Sequence, residues 1–141
     1  MRLHVTLVNP PYPRGDFLHP PFPPLGLGYL AAVLLKNQFE VDVIDCTTTK
    51  MTHEEAGKEI SKRQPDIVGI TSTILTYKSA LKIAKIAKEV YPKCLTILGG
   101  PLVTFWDEKA LQQCASLDIV VRKEGENTML ELVQRIEAGK D

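Results

Sequence analysis

Residues 65–100 read PDIVGITSTILTYKSALKIAKIAKEVYPKCLTILGG. Two short apolar runs, 67–71 and 94–98, flank a segment of strict helical period. Over 77–90, Tyr77, Ala80, Leu81, Ala84 and Ala87 share one face, and Lys78, Lys82, Lys85 and Lys88 lie on the other side. The pattern predicts an amphipathic helix between two strands. Neither strand alternates apolar with polar residues, as expected of parallel strands buried on both faces. Pro65-Asp66 breaks the chain ahead of the first run, and Gly99-Gly100 ends the second.

The same strand–helix grammar extends outward in both directions. Strands are expected at 2–8, 40–45 and 118–121, and helices at 24–36, 52–64, 106–115 and 127–138. Thr52 and Glu55 form a capping-box start for the second helix. The first helix is apolar nearly all round and is expected to be deeply packed. Strict alternation of strand and helix implies right-handed crossovers and one parallel sheet covered on both faces. Five strands and five helices in 141 residues fit an α/β, doubly wound five-stranded sheet of flavodoxin-like order 2-1-3-4-5, as a single domain over 1–141. In that order a ligand crevice lies at the carboxyl ends of strands one and three.

Composition narrows the function. Seventeen basic residues balance seventeen acidic ones, so there is no excess charge to attract nucleic acid. No apolar run is long enough for a membrane span. Cys46, Cys94 and Cys114 are too few and too scattered for a disulfide framework or zinc knuckle. They read as buried small hydrophobes in a cytoplasmic protein. His4, His19 and His53 are equally scattered and read as structural.

The loops after the strands carry the remaining information. Between residues 9 and 29 the chain runs NPPYPRGDFLHPPFPPLGLGY, with seven of its ten prolines. Ordinary strand-to-helix connections take about 2–6 residues, so this long, stiffened loop is a built surface. Phe17, Leu18 and Phe22 make it either an interface or a flap packed on its own domain. After the third strand come Ser72 and Thr73, which can bond a ligand or cap the next helix, although Thr76 is the better-placed cap. Gly99-Gly100 is either a tight turn or a place where a ligand approaches the backbone. None of these loops holds a catalytic dyad.

Two relatives of the fold are disfavoured. Gly26-Leu27-Gly28-Tyr29-Leu30-Ala31 matches G-x-G-x-x-A, with Asp45 nineteen residues beyond Gly26, which mimics a dinucleotide-binding oxidoreductase. The fingerprint must form the tight turn after strand one, however, and here the proline loop intervenes. Gly26 and Gly28 are expected instead to allow close helix–sheet packing. A phospho-receiver needs an acid pair after strand one and an aspartate ending strand three, where this chain has Asn9 and Thr71-Ser72.

VNPPYP at 8–13, PPLGLGYLAAVL at 23–34, VDVID at 41–45, PDIVGITS at 65–72, ILGGP at 97–101 and DIVVRKEGENT at 118–128 together resemble one family. It is the N-terminal cobalamin-binding domain of the B12-dependent radical S-adenosylmethionine (radical SAM) enzymes, which include anaerobic magnesium-protoporphyrin IX monomethyl ester oxidative cyclases and methyltransferases. The resemblance implies cobalamin, with its corrin over the carboxyl ends of the strands and its nucleotide tail in the crevice. It implies that Gly99, Gly100 and Pro101 let the tail pass, and that Ser72, Thr73 and Leu75 line it. It also implies that Glu124 and Gly125 turn near the buried base, and that Asn9, Pro10 and Tyr12 face the corrin. Two positions depart from the family: Leu102 stands where a histidine is common, and Lys123 replaces a glycine. The D-x-H-x-x-G motif of the mutases is absent, so a base-off, His-off cofactor is expected. The C-x-x-x-C-x-x-C motif that would hold a [4Fe–4S] cluster with S-adenosylmethionine is absent from this sequence as well. The chain by itself is therefore expected to carry a cofactor for a radical SAM domain downstream. A docking module of the same fold without cobalamin is the alternative.

Overall fold

The computed structural model describes residues 2–13, 24–123 and 125–139. Strands β1 (His4–Asn9), β2 (Glu40–Asp45), β3 (Ile67–Thr71), β4 (Leu95–Gly99) and β5 (Ile119–Val120) form one parallel sheet of order β2-β1-β3-β4-β5. Helices α1 (Leu25–Lys36), α2 (His53–Arg63), α3 (Tyr77–Val90), α4 (Val103–Gln113) and α5 (Glu126–Glu137) alternate with them. The expected topology is the observed one.

Pleating splits the core into two layers. Val5, Leu7, Ile67 and Ile97 meet Leu27 and Leu34 of α1 and Met129 and Val133 of α5. Val8, Val68, Ile70 and Leu98 meet α2, α3 and α4 on the opposite face. There Ala80, Ala84 and Ala87, all fully buried, let α3 lie close against the sheet. Burying each larger aliphatic side chain of these layers contributes about 1.5–3 kcal/mol. The three cysteines are free and buried, as expected.

Local signals hold in part. Thr52 Oγ1 accepts the Glu55 amide at 3.1 Å, so the anticipated cap starts α2. Thr76 precedes α3 but makes no side-chain cap; its hydroxyl instead accepts the Thr73 amide at 2.9 Å. Helix α4 begins at Val103, three residues before the expected start, because a non-helical turn at Trp106 interrupts it without ending it. The largest departure is α1. Only Leu27 and Leu34 are buried, while Leu25, Tyr29 and Leu35 are exposed. Gly26 and Gly28 do not serve close packing either, since a methyl group at each would meet nothing within 4 Å. One face of α1 meets the sheet, and among the described residues no further layer covers Leu25, Tyr29 and Leu35.

At the amino edge of the sheet, Asp118 ties β5 to its neighbours. Its Oδ2 lies 2.6 Å from Lys88 Nζ and accepts the Thr96 amide at 2.9 Å. Burial alone would raise this carboxyl. The Lys88 and Thr96 hydrogen bonds and the Lys88 charge outweigh it and hold the group below its ordinary 3.8. A carboxyl depressed in the folded state contributes stability above its unfolded pKa and loses it as pH falls through the folded value. Asp118→Asn should therefore lower stability at pH 7 by about 1 kcal/mol. In urea titrations from pH 7 to pH 3, the gap between wild type and variant should narrow only below about pH 4.

Candidate functional site

A cavity of about 650 Å³ opens at the carboxyl edge of the sheet, between α1 and α5. Its floor is one row across the sheet. Leu7 pairs with Gly69, and Gly69 pairs with Ile97. Gly69 is the low point of that row, because a methyl group there would come within 2.9 Å of Leu7 Cδ2 and 3.4 Å of Met129 Cε. Leu27 and Leu30 form one wall, and Val121 and Met129 the other. The polar lining residues Thr71, Thr104, Lys123 and Glu126 stand near the mouth, and the largely exposed Tyr29 of α1 also lines the cavity. Thr71 lies on the last rung between β3 and β4, and Glu126 opens α5.

The structure separates the two glycines after β4. At Gly100 φ is +120°, and a methyl group there would overlap the backbone oxygen of Ser72. This glycine is required by the crossing of two loops. Gly99 has no such constraint; the nearest atom to an added methyl is Val121 O at 3.8 Å. Its missing side chain leaves space at the mouth. Beneath Gly100, Ser72 donates its amide to Gly99 O at 3.0 Å. The Ser72 hydroxyl is buried and has no hydrogen-bond partner among the described residues. An unpaired buried hydroxyl is costly, and here it lies at the edge where the β3 and β4 loops meet.

The other sequence-predicted residues are distributed around this edge. Gly99, Gly100, Pro101 and Gly125 line the cavity. Asn9 does not: its amide donates to Asp45 Oδ1 at 2.9 Å. Pro10 O accepts the Thr47 hydroxyl at 2.9 Å. Thr73 Oγ1 accepts the Leu75 amide at 3.3 Å, stiffening the β3–α3 loop. Tyr12 and Leu75 line a second cavity, of about 790 Å³, over α2, α3 and α4. Glu124, His19, Phe17, Leu18 and Phe22 lie outside the described residues.

The second cavity contains the root of the proline loop. Ser79 Oγ donates to Pro11 O at 2.7 Å and so accepts from His53 Nε2 at 2.8 Å. Burial and the Lys82 charge lower the His53 pKa from 6.5, favouring the neutral ring in this relay. His53 is thus tied inward, not left on a surface. Burial and nearby Asp45 push the Cys46 thiol up to about 12, so it is no nucleophile at neutral pH. No cluster of metal-ligating side chains exists among the described residues.

Sequence reasoning missed Gly69, Met129 and Leu7. A glycine inside the apolar run IVGIT was the available signal, since glycine within a strand often marks close approach by another group. The two family departures also find their places. Leu102 lines the second cavity and packs on the α2–α4 face, so it does not obstruct the first. Lys123 has φ of +60°, a left-handed conformation that favours glycine. Its amide is held by Thr104 Oγ1 at 2.9 Å.

A doubly wound α/β sheet with an apolar cavity at its switch point defines a ligand-binding domain. The match to a family model narrows that class: residues 18–133 match the B12 binding domain. The chain belongs to the B12-binding domain family. It is 41% identical over 119 residues to an uncharacterized methyltransferase of Pyrococcus horikoshii, covering 84% of this chain and 26% of the relative. It is 32% identical over 138 residues to the anaerobic magnesium-protoporphyrin IX monomethyl ester cyclase of Cereibacter sphaeroides, covering 96% and 22%. A solved structure of the cobalamin-dependent S-adenosylmethionine radical enzyme OxsB, with aqua-cobalamin and S-adenosylmethionine bound, superposes with a TM-score of 0.80 at 25% identity. That match covers 99% of this chain and 19% of the solved one. The chain spans about a quarter of the length of the curated relatives named here.

The two glycines and Lys123 make separable predictions. Gly100→Ala should cost more than about 3 kcal/mol, from the forbidden backbone region and the overlap with Ser72. Gly99→Ala should change stability by less than about 1 kcal/mol. Lys123→Gly should raise stability by about 0.5–1 kcal/mol by relieving the left-handed conformation. Denaturant midpoints of the three variants, read by circular dichroism, check all three.

Proposed function

We propose that this chain binds cobalamin and presents it to a radical SAM domain of a longer protein. The observation that carries this reading is the open apolar cavity above Gly69, in a chain of the B12-binding family. The residues fit the group. Gly69 leaves room where a side chain would strike Leu7, and Gly99 keeps the mouth clear of a side chain.

In this reading Leu7, Gly69, Ile97 and Met129 hold the nucleotide tail. Gly99, Gly100, Pro101, Glu124 and Gly125 border its entry. Ser72, Thr73 and Leu75 flank it from the β3–α3 loop. Asn9, Pro10 and Tyr12 face the corrin from the β1 loop, whose root is fixed by the Thr47 and Ser79 hydroxyls. When bound, cobalamin supplies a cobalt centre able to carry a methyl group or exchange electrons.

The binding state is base-off and His-off. His4 is engaged with Asp42 and His53 with Ser79, and Asn9 stands where the mutase motif would begin. A domain that presents a corrin must also leave an apolar rim for a partner to close over. Leu25 and Tyr29, Ile74 and Leu75, and Phe105 and Trp106 stand partly or largely exposed at or next to the carboxyl edge. The partner would bring the [4Fe–4S] cluster and S-adenosylmethionine.

Incubation with hydroxocobalamin followed by desalting tests the reading. A visible corrin spectrum retained at near one equivalent is expected. A colourless protein would overturn it and favour a docking module that has lost the cofactor. In the Co(II) state, electron paramagnetic resonance should show no nitrogen superhyperfine splitting; such splitting, from the cofactor's own base or from a histidine such as His19, would overturn the base-off, His-off assignment.

A further inference from the structure

We infer that the cavity between α1 and α5 selects among cobamides by their lower base, accepting benzimidazole- and phenol-type bases and rejecting purines. This rests on the cobalamin reading above and concerns which corrinoid the chain takes.

The distribution of polarity along the cavity carries the inference. The polar side chains that line it are Tyr29, itself largely exposed to solvent, and Thr71, Thr104, Lys123 and Glu126 at the mouth. Below the last rung of the sheet, the described lining side chains are aliphatic or thioether: Leu7, Leu27, Ile97 and Met129, with Gly69 between them. The sheet offers no substitute donors there, because β1, β3 and β4 bond to one another through this depth. Thr104, the nearest hydroxyl on the α4 side, is already occupied by the Lys123 amide and lies 3.4 Å from Gly100 O.

A base entering this depth buries its polar atoms without partners. Adenine carries an exocyclic amine and several ring nitrogens. A benzimidazole leaves one free ring nitrogen, and an oxygen-linked phenol leaves none on its ring. Each buried polar group left unpaired weakens binding by roughly tenfold or more. The floor adds a limit of size. Gly69 sets its depth, and any side chain there strikes Leu7 and crowds Met129.

The test is the affinity of the 141-residue chain for four corrinoids, read by tryptophan quenching and the corrin spectrum. They are cobalamin, a cresolyl cobamide, an adeninyl cobamide and base-free cobinamide. The expected result is tight binding of the first two, roughly tenfold or more weaker binding of the adeninyl form, and weakest binding of cobinamide. Adenine is the weaker cobalt ligand, so the base-off requirement favours it, and poorer binding of that form must come from the cavity. Equal affinity for cobalamin and the adeninyl form would overturn the selectivity while leaving the cobalamin reading intact. Equal affinity for cobinamide and cobalamin would show the cavity unused and overturn the inference. Binding of no corrinoid would overturn both readings. Met129→Gln, placing an amide in the wall, should narrow the preference against adenine at least threefold. An unchanged ratio in a variant with native circular dichroism would also overturn the inference.

Discussion

The chain reverses its winding between β1 and β3, and the site follows from that reversal. Right-handed crossovers place α1 over β1 and β2, with α5 beside it on the same face. The two helices share one face, and Gly69 of β3 lies beneath the cavity between them. At that point the strand presents Gly69 where its neighbours present Leu7 and Ile97. A close-packed layer cannot bridge the gap with a hydrogen atom alone, so the carboxyl edge opens. The opposite face has three helices and a continuous layer of buried aliphatic side chains, and it carries most of the packing.

That division lets one small domain be stable and open at once. The α2–α3–α4 face is dry and dense, with alanines bringing α3 onto the sheet. The α1–α5 face has fewer fully buried residues and includes Met129, a flexible side chain suited to a wall that meets a ligand. Hydroxyl groups pin the loop roots around the mouth. Thr47 and Ser79 hold Pro10 and Pro11, while Thr104 holds Lys123 in a conformation that glycine would adopt more readily. These contacts fix loop positions by hydrogen bonds to backbone atoms, which leaves side chains such as Leu75 and Tyr12 to face outward or into the second cavity.

Much of the fold was legible because its signals are local. The helix at 77–90 has its period written in alanines and lysines, and the Thr52 cap acts within one turn. Alternation of strand and helix then limits the topology. The site was legible by position more than by contact. The described loop residues follow the carboxyl ends of their strands, as the topology requires, yet Asn9 turns to Asp45 and Gly100 is demanded by Ser72. The apolar first helix misled, because hydrophobicity does not say how many layers surround a helix. Gly26 and Gly28 misled as well, because among the described residues nothing approaches either one within 4 Å of an added methyl group.

The amino-acid sequence by itself determined the class of fold, the order of the elements and the family, because period, turn residues and motif spacing are properties of neighbouring positions. The tertiary structure alone decided that Gly69, Met129 and Leu7 enclose a cavity, that Leu102 belongs to the other face, and that Gly99 and Gly100 differ in role. These residues are far apart along the chain, and their meaning depends on which side of the sheet each one faces. The side is set by strand register, and register is established only when β1, β3 and β4 pair.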